Sequence, residues 1–568
     1  MRTFQEHYTR KTLNLSGVWQ FATDEKNVGE SEGWQKGFSA QENFVIPGMW
    51  NNEKGYLSYE GAAWYSKQFY SDGGTLRFWF GGVMTQADVW LDGEKLGEHY
   101  GGFCEFSFIK RGVKAGWHTL IMRVDNSFDE YSIPQKSVDW WHYGGVTREI
   151  VVETLVDVCV LHSKVNYTLS DAWKNAGVTV EAELYNAGEE EKTSCVRFTF
   201  ADKKFIKEIT LSAGETKTVE FSFDVENVHL WDMDDPYLYP MTFRTETDDL
   251  IDRTGFRKVE VQPDGIYLNG RRVEIRGVNR HEEHPEWGFA FPLKLMKRDL
   301  DITFEMGCNA IRGSHYPNSR AFMDYCDETG MLFWSEIPIW GCGFSPETLG
   351  REKVLARGLE MHREMLYHYF NHPSIIIWGM HNEIYSDSPQ GYEMSKLYYH
   401  YLKENGGNRV VTYASRSRLK DISFEFCDVM CVNLYLGWYD GTLSDWDIFM
   451  EQFREYRHKL GFDHKPVMFS EYGAAALYGY NTFDDIRWTE EYQAKIISYC
   501  LNLFHNDPMV CGSYVWQFTD IRSCNEINRA RGFNNKGILN EYRKPKLAYH
   551  AMKKLFLQWQ AEDEKKGK

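Results

Sequence analysis

The sequence predicts a multidomain protein in which two β-sandwiches precede an α/β barrel. Up to about residue 158, short alternating segments are broken by turns such as Asp92-Gly93, a pattern typical of antiparallel sheets. A second run of strands then continues to Gln262, and its length of about 100 residues suits an immunoglobulin-like sandwich. After Gln262, short apolar strands alternate with helical stretches, which indicates a parallel sheet.

The two β-rich regions are predicted from alternation and from their turns. In the first, residues 75–80 and 87–92 alternate apolar and polar side chains, as expected for a jelly-roll sandwich at residues 1–158. In the second, residues 178–184 and 216–223 are similar runs, separated by turns rich in Asn, Ala and Gly. We therefore expect the immunoglobulin-like sandwich at 159–262 and the barrel at 263–568.

Eight strand candidates follow, which is the number that closes a (β/α)8 barrel. A helix is predicted between the third and fourth, from Pro346 to Phe370. The candidate strands are Val273–Gly277, Ala310–Gly313, Leu332–Ser335, Ile375–Gly379, Val410–Ala414, Val429–Asn433, Val467–Ser470 and Ser513–Phe518.

Composition argues against several classes of partner. The net charge is −18, and no long Lys/Arg cluster occurs outside the C-terminal tail, so a nucleic acid or an anionic membrane surface is not an expected partner. The polar N-terminus has no apolar leader segment, which favours a cytoplasmic protein or a mature form whose signal peptide has been removed. The 11 cysteines show no paired CxxC spacing, so we expect reduced thiols and neither a metal nor another cofactor.

Two glutamates stand where short apolar runs end. Glu383 follows residues 375–382, and Glu471 follows residues 466–470. Buried parallel strands deliver such side chains to the carboxyl rim of a barrel, where active sites are built. Two carboxyl groups on one rim indicate acid/base or nucleophilic chemistry on a glycosidic bond.

The motifs around these glutamates resemble glycoside hydrolase family 2. The resemblance rests on Asn382-Glu383, on Ser470-Glu471-Tyr472-Gly473 and on the segment from Gly277 to Glu282. The N-terminal run from Phe80 to Gly93 and Gly101-Gly102-Phe103 match as well. The resemblance covers nearly the whole chain, in the family's order of sandwich, immunoglobulin-like domain and barrel.

The resemblance implies roles for four residues. Glu383 would be the general acid/base and Glu471 the nucleophile. Asn382 would donate a hydrogen bond to the sugar 2-hydroxyl, and Tyr435 would orient the nucleophile and later release it.

Other residues resemble those of bacterial β-glucuronidases, a group of β-hexuronidases. Asn534 and Lys536 match an Asn-x-Lys motif that grips the substrate carboxylate, and a buried carboxylate does need such a charged partner. Arg531 lies beside this motif. The further substrate-binding residues that the resemblance implies are Asp139, His315, Tyr439 and Trp516.

The chain also departs from the glucuronidase pattern. Ala475 occupies a position that is usually acidic, and Arg529 and Arg531 form an additional basic pair. These departures leave open whether glucuronic or galacturonic acid is preferred.

The resulting hypothesis is a bacterial retaining exo-β-glycosidase that hydrolyses β-D-glucuronides through a covalent glycosyl-enzyme. A β-galacturonidase or a β-galactosidase of the same family is the alternative. A carbohydrate-binding protein that has lost catalysis is the alternative from another class. We expect a small-molecule uronide as the partner, and homo-oligomers.

Overall fold

The computed structural model describes residues 2–170, 172–524 and 528–565. Antiparallel β-sandwiches form its N-terminal part, and a closed barrel of eight parallel strands forms the C-terminal region. The predicted fold class is therefore confirmed. In the described ranges, no helix combines the length and the apolar character needed to cross a bilayer.

The first sandwich packs a four-stranded sheet against a six-stranded one. Its core is rich in aromatic side chains, among them Phe21, Trp50, Tyr65, Phe78 and Phe80, which are fully buried. In sheet order, the strands of the four-stranded sheet are Lys11–Asn14, Ile150–Leu155, Gly74–Phe80 and Phe106–Val113. Those of the six-stranded sheet are Glu42–Ile46, Gly17–Asp24, Ala62–Ser71, Gly116–Asp125, Gln86–Leu91 and Glu94–Tyr100. A small third sheet consists of Gly48–Met49, Gly145–Val146 and Val83–Met84.

The second sandwich has a three-stranded and a four-stranded sheet. Phe198 and Phe243 stack between them, with ring centroids 4.5 Å apart, at the centre of a separate apolar core. The strands are Val158–Leu169, Asn175–Asn186 and Thr216–Glu226 in one sheet, and Lys203–Leu211, Lys192–Phe200, Tyr239–Arg244 and Asp249–Thr254 in the other.

The barrel strands run in parallel and close by pairing of the first strand with the eighth. The strands are Ile275–Arg280, Ala310–Gly313, Leu332–Glu336, Ile375–Asn382, Val410–Ser415, Met430–Asn433, Val467–Glu471 and Val510–Val515. The α-helices are Leu293–Glu305, Arg320–Thr329, Pro346–Leu349, Glu352–Tyr369, Pro389–Asn405, Asp445–Lys459, Glu490–Asn506 and Leu547–Lys565.

Three elements differ from the sequence prediction. Val273 belongs to an antiparallel strand, Arg271–Val273, in a small sheet with Val259–Gln262 and Gly265–Leu268, so the first barrel strand begins later, at Ile275. The eighth strand lies three residues earlier than predicted. The helix predicted from Pro346 is two helices, because the first turn ends at Gly350, a poor helix former.

Two segments close over the carboxyl rim of the barrel. One is the sandwich loop at residues 136–142, which follows Gly116–Asp125, and the other is the hairpin of Ile521–Arg522 with Phe533–Asn534. The rim, the loop and the hairpin together enclose a cavity.

Candidate active site

A cavity of about 970 Å³ lies at the carboxyl ends of the barrel strands. Polar residues at these ends and aromatic residues from both the barrel and the sandwich form its walls. The lining residues are Lys136, Ser137, Val138, Asp139, Trp140, His142, His315, Trp340, Glu383, Arg416, Arg418, Tyr435, Tyr439, Glu471, Trp516, Cys524, Arg529 and Lys536.

Glu471 ends the seventh strand and is nearly buried, with 4% of its surface exposed. Its two oxygens are held by different donors. Arg312 Nη1 donates to Oε1 at 2.8 Å, and the Tyr435 hydroxyl donates to Oε2 at 2.8 Å. Both contacts fix the carboxyl group and stabilise its ionised form.

Glu383 follows the last residue of the fourth strand and is half-buried. Its φ of 53° lies in the left-handed region, which is costly for a residue with a Cβ atom. Asn433, at the end of the sixth strand, donates to Glu383 Oε1 at 2.9 Å. The unusual backbone and this contact aim the carboxyl group into the cavity.

The nearby Glu383 affects the ionisation of Glu471. Burial and Glu383 raise the pKa of Glu471 to about 8, while Arg312 and Tyr435 act in the opposite direction. A negative charge on Glu471 is therefore disfavoured in the free cavity, and the two donors offset part of this cost.

Arg312, in the second strand, connects the carboxyl group of Glu471 to the barrel interior. Besides Glu471 it binds both oxygens of Glu336, at 3.0 and 2.8 Å, and the Asn382 side-chain oxygen at 2.8 Å. His315 Nδ1 lies 2.7 Å from Glu336 Oε1. Burial and Arg312 lower the pKa of His315 well below its usual value, so the ring is neutral.

Asn382 is fully buried, and its carboxamide has two different environments. The oxygen accepts from Arg312 at 2.8 Å and from Asn433 at 3.3 Å. The nitrogen has no hydrogen-bond partner among the described residues. The Asn382 NH2 group is thus an oriented donor without a partner in the described structure.

Lys536 is a buried cation in the wall of the cavity, with 1% of its surface exposed. Its ammonium group donates to the Tyr439 hydroxyl at 2.6 Å and forms no salt bridge within the described part of the chain. Burial lowers the pKa of Lys536. A buried ammonium without a carboxylate is costly, and this cost is relieved when an anion binds.

Asp139 reaches from the sandwich into a network with the barrel. Arg529 binds both of its oxygens, with Nε 3.0 Å from Oδ1. Asn534 donates to Oδ2 at 2.9 Å, and Ser523 donates to Oδ1 at 2.8 Å. Arg529 also donates to the Tyr439 hydroxyl at 3.0 Å, which joins this network to Lys536.

The structure brings most of the sequence-predicted site residues together. Trp516 lines the cavity and stacks on His315, with ring centroids 5.0 Å apart and planes at 16°. Asn382 and Asn534 lie behind the wall, in contact with residues that form it. Arg531 is placed elsewhere, because its guanidinium pairs with Glu541 at 2.9 Å and is half-exposed.

Several residues of the site were missed by the sequence analysis. Arg312 and Glu336 are charged residues inside short apolar strands, and this signal could have revealed them. Arg416 and Arg418 follow the fifth strand in a loop that has no such signal.

Among the described residues, the two groups of potential metal ligands lie outside the cavity. In the described ranges, groups of three potential ligands occur at His7, Asp248 and Asp249 and at Asp324, Asp327 and His372. Asp324 pairs with Arg2 at 2.9 Å, and Asp249 accepts backbone N–H groups of Tyr8 and Thr9. Other groups of the protein thus already pair with Asp324 and Asp249.

The chain is similar to known proteins along nearly its whole length. The family model described as glycosyl hydrolases family 2, TIM barrel domain, matches residues 259–561, and the model described as glycosyl hydrolases family 2 matches residues 158–257. A β-galactosidase from Thermoanaerobacterium thermosulfurigenes is 29% identical over 96% of this chain and 76% of its own length.

Two solved structures share the complete architecture. A family 2 β-galacturonidase from Eisenbergiella tayi bound to galacturonate is 32% identical, with a TM-score of 0.90 over 98% of this chain and 99% of that chain. A β-glucuronidase from Ruminococcus gnavus in complex with D-glucaro 1,5-lactone is 25% identical, with a TM-score of 0.86 over the same shares. Family models, relatives and structures agree, and the chain belongs to glycoside hydrolase family 2, as a β-glycosidase.

Proposed function

We propose that this enzyme is a retaining exo-β-hexuronidase, with β-D-glucuronides as its first expected substrates. The observation that carries the proposal is Lys536, a buried ammonium without a carboxylate partner among the described residues, in the same cavity as Glu383 and Glu471. A uronic acid supplies the missing carboxylate.

The proposed reaction has two steps. Glu383 donates its proton to the glycosidic oxygen while the bond from that oxygen to the sugar C1 breaks, and the Glu471 carboxylate forms a bond to C1. Water then attacks C1 and gives a proton to Glu383, and the bond to Glu471 breaks. Two inversions at C1 retain its configuration.

The surroundings of the pair support this division of roles. Arg312 and Tyr435 both donate to Glu471, so negative charge is better stabilised there than on Glu383, which accepts from the neutral Asn433. The role of nucleophile is therefore assigned to Glu471 and the role of acid to Glu383.

The remaining predicted residues have consistent places in the proposal. The unused Asn382 NH2 group can donate to the sugar 2-hydroxyl, an interaction that strengthens in the transition state. Trp516 and His315 offer a wall for the sugar ring, and Tyr439 sets the direction of the Lys536 ammonium group. Asn534 holds Asp139 and positions the pocket without entering its wall.

The proposal predicts an order of substrates. Aryl β-glucuronide and aryl β-galacturonide should be hydrolysed at least about 100-fold faster than aryl β-galactoside, because only the uronides pair with Lys536. Galacturonide is the second candidate because the similar Eisenbergiella tayi enzyme holds galacturonate. Values of kcat/KM for the three substrates are the measurement. Faster hydrolysis of the galactoside would contradict the proposal.

The catalytic pair predicts opposite pH shifts for two substitutions. Glu383 raises the pKa of Glu471, so Glu383→Gln should move the ascending limb of kcat/KM to lower pH. The hydrogen bond from Tyr435 lowers the pKa of Glu471, so its removal in Tyr435→Phe should move the ascending limb of kcat/KM to higher pH. A 2,4-dinitrophenyl glycoside, whose leaving group needs little protonation, allows both profiles to be measured. Shifts of the two profiles in the same direction would contradict the proposed effects of Glu383 and Tyr435 on Glu471.

The same pKa connects catalysis to stability. The folded state holds the Glu471 proton more firmly than an unfolded glutamate, whose pKa is about 4.3. This contribution to the free energy of unfolding is complete below that pH and is lost as pH rises through about 8. The free energies of unfolding of Glu471→Gln and of the unsubstituted enzyme are compared between about pH 4.3 and about pH 8. The pH dependence that is lost in Glu471→Gln is the part that comes from Glu471.

A further inference from the structure

The cavity has a second group of cations, distinct from Lys536 and Arg529. Arg416 and Arg418 lie directly after the fifth strand, Val410–Ser415, and both line the cavity. Both are half-buried. They stand on the side of Glu383, since Arg416 lies over the ring of Tyr385, two residues after Glu383, at 4.6 Å.

Arg418 has a guanidinium that the protein does not fully use. Its Nε is buried and has no hydrogen-bond partner in the described part of the chain. It forms no salt bridge with a described carboxylate, although it interacts electrostatically with Glu383 and Asp440. Its φ of 56° is again in the left-handed region, and such backbone strain is often found at functional sites.

The position of Arg416 and Arg418 beside Glu383 indicates which part of a bound substrate they would contact. Under the proposed function, on which this inference rests, Glu383 protonates the oxygen of the leaving group. Side chains that flank Glu383 at the cavity wall therefore face the leaving group and not the uronic acid. The volume of about 970 Å³ is at the upper end for pockets of drug-sized ligands, so a second sugar can be accommodated.

We propose that Arg416 and Arg418 form a leaving-group subsite that selects aglycones with an anionic group, the chemistry of an acidic sugar. A guanidinium is suited to carboxylate and sulfate, which accept two parallel hydrogen bonds. The protein as a whole has a net charge of −18, so this local positive charge is placed against the general trend. The preferred substrate is then an acidic disaccharide whose two units both carry negative charge.

The test compares an aryl β-uronide whose ring carries a 2-carboxyethyl group with the methyl ester of that group, because the two-carbon spacer keeps the leaving ability of the phenol nearly equal and charge remains the main difference. We expect kcat/KM for the acid to exceed that for the ester about 5- to 10-fold at low salt, and the ratio to fall toward one as ionic strength rises. Arg418→Asn, which tolerates the left-handed backbone, and Arg416→Gln should each lower this ratio. The control Arg363→Gln removes an exposed guanidinium on the helix Glu352–Tyr369 and should leave the acid-to-ester ratio of kcat/KM unchanged.

Two disaccharides then identify the source of the charge. A β-uronosyl disaccharide ending in a hexuronic acid and one ending in a sulfated hexose are compared with a neutral hexose analogue. Faster hydrolysis of either acidic compound supports the subsite and names its ligand. A ratio near one in the unsubstituted enzyme, or a ratio unaffected by both arginine substitutions, would overturn the subsite alone. Failure to hydrolyse any uronide would overturn the proposed function and the subsite together.

Discussion

Glu471→Ala is expected to lower kcat on an aryl β-glucuronide by about 10⁴-fold or more, because the variant has no group that can bond to the sugar C1. Arg312 and Tyr435 each donate to Glu471 at 2.8 Å, so its carboxylate is fixed at the position from which the bond to C1 would form. Initial rates of phenol release measure the effect. Glu305→Gln, which removes an exposed carboxylate paired with Lys553, is the matched control.

Azide distinguishes the two glutamates. In Glu471→Ala, azide can enter the vacated space and attack C1 once, which gives an α-glycosyl azide. In Glu383→Ala, azide attacks the covalent intermediate, which gives the β-glycosyl azide. A 2-fluoro uronosyl fluoride should label the peptide containing Glu471 in the unsubstituted enzyme. Turnover by Glu471→Ala without azide, or a label on another peptide, would refute the assignment.

Lys536→Met is expected to have the second largest effect, a loss of about 10²- to 10³-fold in kcat/KM on β-uronides. This range corresponds to about 3–4 kcal/mol, which lies within the roughly 3–5 kcal/mol lost when one partner of a buried ion pair is removed. Methionine is similar in length, so the change removes the charge without leaving a large cavity. On a neutral β-galactoside the loss should be much smaller. Rates on matched aryl glycosides are the measurement.

The same substitution should stabilise the free enzyme. Lys536 is buried without a carboxylate partner in the described structure, and replacing buried ions by apolar side chains is often stabilising by about 1–4 kcal/mol. Thermal denaturation of Lys536→Met should therefore give a higher melting temperature. Lys403→Met, which breaks an exposed pair with Asp428, is the control. Equal losses on uronides and galactosides would mean that Lys536 has only a structural role.

The fold could be predicted because its signals are local. Eight apolar runs, each followed by a helix-like stretch or a turn, identified the barrel, and polar residues at strand ends identified Glu383 and Glu471. The boundaries of the first and eighth barrel strands could not be predicted from the sequence. Val273 is as apolar as a barrel residue but pairs in a separate antiparallel sheet, and this choice depends on contacts that no local pattern encodes.

The binding residues were only partly predictable for a related reason. Arg529 and Arg531 are two positions apart in one loop and have the same chemistry. A left-handed residue at Arg531, with φ of 62°, turns its side chain to Glu541, while Arg529 reaches Asp139 some 390 positions away in sequence. Sequence alone does not distinguish the two arginines, because their partners are set by the tertiary fold.

The Asp139 network also limits how this enzyme can diverge. Asp139 comes from the sandwich, yet Arg529, Asn534 and Ser523 from the barrel region donate four hydrogen bonds to its carboxylate among the described residues. A chimaera that joined this barrel to a sandwich with a neutral residue at position 139 would leave the Arg529 guanidinium at the cavity wall without this carboxylate partner. The position of Arg529 at the cavity wall therefore depends on a residue of the sandwich, and under the proposed function a change in either domain would alter the pocket.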